Sequence, residues 1–215
     1  MNAKMRTLLV LLLVVAVGAG VYAYFRSRDQ GETTDEGRAP ATDPNTFVYV
    51  TIGEPDTLDP AYAYDTASGE IIHQLYDTLF DYNGSSLEEL VPRLAAQVPS
   101  IENGLISEDG RTIKVPIRKS VKFHNGSDLT PEDVEYTFER AMISDPVGSP
   151  IWMFFEPLLG VQTMEQVIAL AGGPSDYAGI NEVDPAIRRK AFDMIDAAVE
   201  VEGDAVVFNL AAPYP

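Results

Sequence analysis

Two carboxylates three residues apart, Asp56 and Asp59, are the first side chains in the chain with an evident capacity for chemistry. Such a pair can divide the work of general acid and nucleophile, as in glycoside hydrolysis. Both lie within Glu54-Pro55-Asp56-Thr57-Leu58-Asp59-Pro60, however, where Asp and Pro fix turns, so a structural role already accounts for them. His73 and His124 are far apart in sequence and the chain has no cysteine, which makes a weak case for a metal site. The missing cysteines also exclude disulfides, a thiolate nucleophile and a lipid-acceptor thiol. No Gly-x-Ser-x-Gly, phosphate loop or His-Glu-x-x-His pattern is present. The expectation is therefore a protein without catalytic residues, metal or cofactor. A carboxylate-based hydrolase is the reading the residues support least. A different capacity lies in Ile151-Trp152-Met153-Phe154-Phe155, which holds the single Trp. Such a cluster can wall a pocket for apolar ligand groups or fill a core, and sequence leaves both readings open.

Charge narrows the partners. Of 215 residues, 33 are acidic and 15 basic, for a net charge of −18. Lys4, Arg6, Arg26 and Arg28 fall in the first 28 residues, where there is no acid, leaving 11 basic groups against 33 acids beyond. That surface repels phosphate backbones, so nucleic acid is not an expected partner. The acidity suits solubility or adaptation to salt, with a mild preference for cationic or zwitterionic solutes.

The segment before Arg26 reads as an address. Thr7 to Phe25 is an uncharged run of 19 residues dominated by Leu and Val, preceded by a short basic stretch. At 1.5 Å per residue it can just cross a bilayer, and it also fits a long signal peptide. Residues 1–26 are thus expected to be a signal peptide or N-terminal membrane anchor. The Gly-, Thr-, Pro- and charge-rich residues 27–45 are expected to be a flexible linker. Residues 46–215 are expected to form the folded part on the extracytoplasmic side, periplasmic or attached to the cytoplasmic membrane by that helix.

The elements that must position these side chains follow from periodicity. Thr46 to Ile52 alternates like a strand, and Asp56 to Ala67 reads as an ordered loop. Glu70 to Tyr82 places Ile71, Ile72, Leu75, Leu79 and Phe80 on one helical face, with His73 expected to be partly buried. Leu87 to Val98 is a connector with Leu90, Val91 and Leu94 inward. Gly104–Ser107 and Thr112–Arg118 flank Glu108-Asp109-Gly110 as a hairpin, which Pro116 restricts to a sheet edge or a bulge. Val121 to Phe123 is a further short strand. Thr130-Pro131-Glu132-Asp133 starts a helix that buries Val134, Phe138, Ala141 and Met142. Asp184 to Val199 is a second helix, capped by Asp184-Pro185 and burying Ile187, Ala191, Met194 and Ile195, and Gly203-Asp204 joins strands Val199–Glu202 and Ala205–Leu210. The class is mixed α/β.

Two of these segments together resemble the peptide and nickel family of ABC-importer binding proteins, the oligopeptide- and dipeptide-binding type. One is Glu54-Pro55-Asp56-Thr57-Leu58-Asp59-Pro60 with Leu75-Tyr76-Asp77-Thr78-Leu79-Phe80. The other runs from Leu105 through Ile117-Arg118-Lys119-Ser120-Val121-Lys122-Phe123-His124-Asn125-Gly126 to Thr130-Pro131-Glu132-Asp133-Val134, with Phe138 and Arg140. Three departures are Ser120 where the family usually has Gly, Asn125 where Asp is usual, and Pro116 inside the strand.

The resemblance implies the N-terminal part of lobe I of a two-lobed periplasmic-binding-protein-like fold, a mixed sheet with flanking helices, with the second lobe further along a longer protein. It implies a peptide or similar small solute as ligand and ABC permease subunits as partners. It also places the loop after the first strand near the cleft, making Asp56, Thr57, Leu58, Asp59, Pro60 and Tyr62 ligand-binding candidates beside Trp152 and Phe154. A membrane-anchored sensing or interaction module without a transport role is the alternative.

Overall fold

The computed structural model describes residues 45–144, 150–176 and 179–213. The expected membrane or signal helix and almost all of the expected linker lie outside them. Among the described residues no helix is long and apolar enough to cross a membrane. The chain divides after Val50, and residues 51 onward form the unit that carries the core.

Residues 46–52 do not form the strand that their alternation predicts. Phe47, Val48, Tyr49, Val50 and Ile52 are exposed, and among the described residues no strand pairs with them. Alternation suits a residue to a pleated surface, but a strand exists only where a neighbour accepts its ladder.

The first helix, α1, spans Thr66–Leu75 rather than 70–82. Its start is set by Asp65, whose side chain accepts from the Ser68 amide at 2.8 Å as an N-cap. It ends when Tyr76 turns extended, φ −119° and ψ 144°. Leu79 and Phe80 consequently leave the helix. β1 (Phe80–Tyr82) pairs antiparallel with β2 (Leu90–Pro92). Ala95 is the fully buried residue of the connector, whereas Leu90 is exposed. His73 is exposed as well, because α1 is covered mainly at Ala67 and Ser68.

β3 (Thr112–Pro116), β4 (Val199–Glu202) and β5 (Ala205–Asn209) form the main sheet in the order β3-β5-β4. Every pairing among the described residues is antiparallel, in place of the expected mixed sheet. β5 is central and its Ala205, Val206, Val207 and Phe208 are all buried. β3 lies on an edge, with Pro116 as its last residue opposite Ala205, so the missing amide hydrogen interrupts no ladder. The Ser107 to Thr112 turn forms, but residues 104–107 contribute only an isolated bridge, Ile106 to Ile113. Val121–Phe123 is likewise reduced to one bridge, Lys122 to Asp128.

α2 (Pro131–Ser144) packs across this sheet and buries Val134, Ala141 and Met142 as its periodicity predicts. Its start is secured in reverse: the Asp133 carboxylate accepts from the Thr130 amide at 2.8 Å and from its hydroxyl at 3.1 Å. Two helices not foreseen from sequence follow, α3 (Trp152–Leu159) and α4 (Met164–Leu170). Gly160 at φ 68° ends the first, and Thr163 caps the second. α5 (Pro185–Asp196) is capped by Asp184 and buries Ala191 and Ile195. Phe155, Met142, Ile168 and Ile195 are the largest fully enclosed side chains, so the core lies where α2, α3, α4 and α5 meet the sheet.

Candidate functional site

The loop of residues 53–65 is built by hydrogen bonds among its own short polar side chains. Asp59 organises it: its Oδ1 accepts from the Ala61 amide at 3.0 Å, and its carbonyl accepts from the Tyr62 and Ala63 amides, each at 3.0 Å. The Thr57 hydroxyl accepts from the Asp59 amide at 3.2 Å. The Thr57 amide donates at 3.3 Å to the hydroxyl of the fully buried Ser68, which joins the loop to the first turn of α1.

A second tie comes from α2. Arg140 donates through Nη1 to Asp59 Oδ1 at 2.9 Å and through Nη2 to Oδ2. This two-point pairing matches the planar guanidinium to the carboxylate. The Arg140 hydrogen bond is the main reason the Asp59 carboxyl is held below the usual carboxylate range, opposed by burial and assisted by the Ala61 amide. Arg140 is raised by the same bond, and the phenols of Tyr136 and Tyr62 act on it as well.

These ties sort the loop candidates. Asp59 spends both oxygens on Arg140 and Ala61, and Thr57 spends its hydroxyl within the loop, so both shape the loop. Pro60 and Asp56 are exposed, as are Leu58 and Tyr62. Tyr62 is 46% exposed and stands beside Arg140. Arg140 is a site residue that sequence reasoning misses, although it is the terminal Arg of the second signature segment.

The aromatic cluster separates in the same way. Phe155 is fully buried and Trp152 is 52% exposed. Phe154 is half-buried against Phe138, ring centres 5.0 Å apart, and Phe138 meets Phe208 edge-on at 4.9 Å. Of the cluster candidates, Trp152 alone keeps a large free face. One helix therefore serves both groups: α2 holds the loop through Arg140 and the aromatics through Phe138.

Among the described residues no group of three or more His, Asp or Glu is arranged to hold a metal. The concavities are slight. A shallow depression of about 460 Å³ opens over Phe123, His124, Asn125 and Ser127, and one of about 110 Å³ is lined by His73, Tyr76, Asp77, Thr78, Asp81 and Arg93.

The family model for bacterial extracellular solute-binding proteins, family 5 Middle, matches residues 89–215, more than half of the chain. The chain belongs to this family. Curated relatives include the oligopeptide-binding protein AppA of Bacillus subtilis, 26% identical over 148 residues, covering 69% of this chain and 26% of the relative. The periplasmic murein peptide-binding protein MppA of Escherichia coli is 28% identical over 131 residues, covering 61% of this chain and 22% of the relative. Among solved structures, the pheromone receptor PrgZ superposes with a TM-score of 0.53 at 21% identity, over 76% of this chain and 27% of that one. An oligopeptide ABC transporter substrate-binding domain from Bacillus anthracis gives 0.51 at 18% identity, over 75% and 25%. At these identities the structural matches establish the family's periplasmic-binding-protein-like α/β fold. The matches span between 15% and 26% of the length of two of the curated relatives.

Proposed function

We propose that the protein to which this chain belongs is the extracytoplasmic solute-binding component of an ABC importer, capturing peptides and delivering them to the membrane permease. Family membership over residues 89–215 is the observation that carries this reading. The names of the relatives favour peptides as the solute, since two of them are called oligopeptide- and murein peptide-binding. We place the ligand against a surface to which this chain contributes Tyr62, Leu58 and Trp152. These are large side chains left exposed on supports that are themselves fixed. Asp56 and Pro60, also exposed, belong to the same loop. Asp59, Thr57 and Phe154 act behind that surface by holding its shape. Capture in a two-lobed protein is a hinge closure in which ligand contacts on both sides offset the cost of closing. Attachment to the membrane through residues 1–26 completes the proposal, as the hydrophobic run and its basic flanks suit an anchor.

The test is calorimetric titration of the whole protein with short peptides, nickel complexes and oligosaccharides. Peptide binding that weakens at least tenfold in Tyr62→Ala or Trp152→Ala supports the reading. Absence of binding in all three classes overturns it.

A further inference from the structure

The chain contains three Asn-Gly pairs, Asn83-Gly84, Asn103-Gly104 and Asn125-Gly126, and their glycines have left-handed φ values of 60°, 73° and 89°. Turns of this kind select Asn and Gly for their conformational freedom. The same pairing carries a latent reaction. A glycine nitrogen has no side chain beside it to hinder attack, so it can close a five-membered ring on the preceding Asn side chain. Asparagine is counted among the thermolabile residues. Ring closure makes two demands: the glycine N–H must give up its proton, and the Asn Cγ must swing onto that nitrogen. All six residues are exposed, so access of water does not separate the three pairs. Hydrogen bonding does.

At Asn103 both demands are opposed. Its Oδ1 accepts from the Ser100 amide at 2.9 Å and the Leu105 amide at 3.1 Å, and its Nδ2 donates to the Val98 carbonyl at 2.9 Å. The Gly104 amide donates to the Ile101 carbonyl at 3.1 Å. Asn125 is held likewise, its Oδ1 accepting from the Ser127 amide at 3.0 Å and hydroxyl at 2.8 Å, while the Gly126 amide donates to the Phe123 carbonyl at 2.8 Å. Donors on an amide oxygen polarise its carbon toward attack. In both turns, however, the attacking nitrogen is tied through its proton, and a hydrogen bond made by the protonated form opposes deprotonation. Asn83 differs. Its backbone is fixed, the amide donating to the Glu89 carbonyl at 2.8 Å and the carbonyl accepting from the Ser86 amide at 3.0 Å. Its side chain and the Gly84 amide make no hydrogen bond among the described residues.

We propose that Asn83 is a modification site, at which the loop between β1 and β2 converts spontaneously to isoaspartate and aspartate in the folded protein while Asn103 and Asn125 are preserved. The Gly84 nitrogen loses its proton and bonds to Asn83 Cγ, the Cγ–Nδ2 bond breaks, and Nδ2 leaves as ammonia with that proton. Water then opens the cyclic imide. Cleavage between the nitrogen and Cγ leaves aspartate. Cleavage between the nitrogen and the main-chain carbonyl carbon leaves isoaspartate, with the chain rerouted through Cγ. Nothing is oxidised or reduced, and water is the only other reactant. Either product adds a negative charge near Glu89, and isoaspartate inserts one extra backbone carbon at the point where Asn83 closes the loop onto Ser86 and Glu89.

The test is peptide mapping by mass spectrometry of the whole chain after incubation in mildly alkaline buffer, once folded and once in concentrated urea. Conversion is read as exchange of NH2 for OH, with isoaspartate told from aspartate by backbone fragmentation. Asn83 and Asn125 share the tripeptide Asn-Gly-Ser, so their rates in urea should be alike. In the folded chain Asn83 should convert at least about tenfold faster than Asn103 or Asn125, the equivalent of one or two ordinary hydrogen bonds. Equal rates at the three sites in the folded chain overturn the proposal, as does faster conversion at Asn103 or Asn125. An Asn83 that stays intact in the folded chain while the urea-treated chain reacts overturns it as well. So does the same ratio of Asn83 to Asn125 in both conditions, because sequence and not structure would then set the rate.

Discussion

Arg140 grips both carboxylate oxygens of Asp59 across 81 residues of chain. The contact joins the two segments whose motifs carry the family resemblance, and gives a physical reason why both are present together. The side chains remain about one-third exposed, at 38% and 31%, so solvent screens the pair and it resembles a good surface bridge more than a buried one. Replacing Arg140 with Met should cost about 1 kcal/mol of stability. Asp59→Ala should cost roughly 1–2 kcal/mol, since the Ala61 amide also loses its acceptor. A double-mutant cycle by urea unfolding measures the coupling; additive effects would mean the pair contributes nothing.

The same pair has a pH signature on the acid side. The Asp59 carboxyl is lowered on folding, so its contribution is present above the ordinary aspartate range and lost as pH falls through the lowered value. Arg140→Met should abolish the part of the acid limb of a stability profile that the Arg140 hydrogen bond contributes, measured below pH 4.5.

Ser120 adopts φ 64°, a left-handed conformation, at the position where the family usually carries Gly. That conformation costs a side-chain-bearing residue about 1–2 kcal/mol. Glycine's extra freedom in the unfolded chain takes back roughly 0.4–1 kcal/mol. The penalty is the larger of the two, so Ser120→Gly should stabilise the fold by about 0.5–1 kcal/mol, read as a higher urea midpoint.

At Gly173 the opposite holds. A β-carbon there would lie 2.6 Å from Ile168 Cγ2 and 2.8 Å from Ile187 Cγ2, wedging apart the contact of α4 with α5. Gly173→Ala should cost roughly 1–3 kcal/mol through overpacking, read in thermal melts.

Phe155 and Trp152 sit three residues apart and should respond in opposite ways. Truncating the fully buried Phe155 to Ala should cost about 3–5 kcal/mol. Trp152→Ala should change stability by less than about 1 kcal/mol, because half of that side chain already faces solvent. Its effect belongs in the peptide titration.

The helices with caps and clear periodicity were legible: Thr130-Pro131 and Asp184-Pro185 marked the starts of α2 and α5, and Val134, Ala141, Met142, Ala191 and Ile195 are buried as expected. Local signals suffice there because a helix satisfies its own hydrogen bonds. The sheet was harder, since a strand depends on a partner elsewhere: β4 and β5 were found through their Gly203 turn, whereas residues 46–52 have the composition of a strand without one. α1 was misplaced because Leu79 and Phe80 continue its apolar rhythm, while the Asp65 cap and the extended Tyr76 decide its limits. α3 and α4 were missed, although Thr163 with Gln166 was a usable start signal. In the site, the Asp-Pro turn was legible, but its clamp was not, because nothing local in sequence pairs Asp59 with Arg140.

The strand register has a kinetic meaning. β4 and β5 are neighbours across a two-residue turn, but β3 must find β5 across most of the folded chain, aligning Thr112 with Asn209 and Pro116 with Ala205. Loop-closure entropy is larger for that second pairing, so the hairpin of β4 and β5 is expected to form before β3 docks. As chain emerges from a ribosome, residues up to Pro116 therefore have to wait, unzipped, for nearly a hundred more before their edge of the sheet can close.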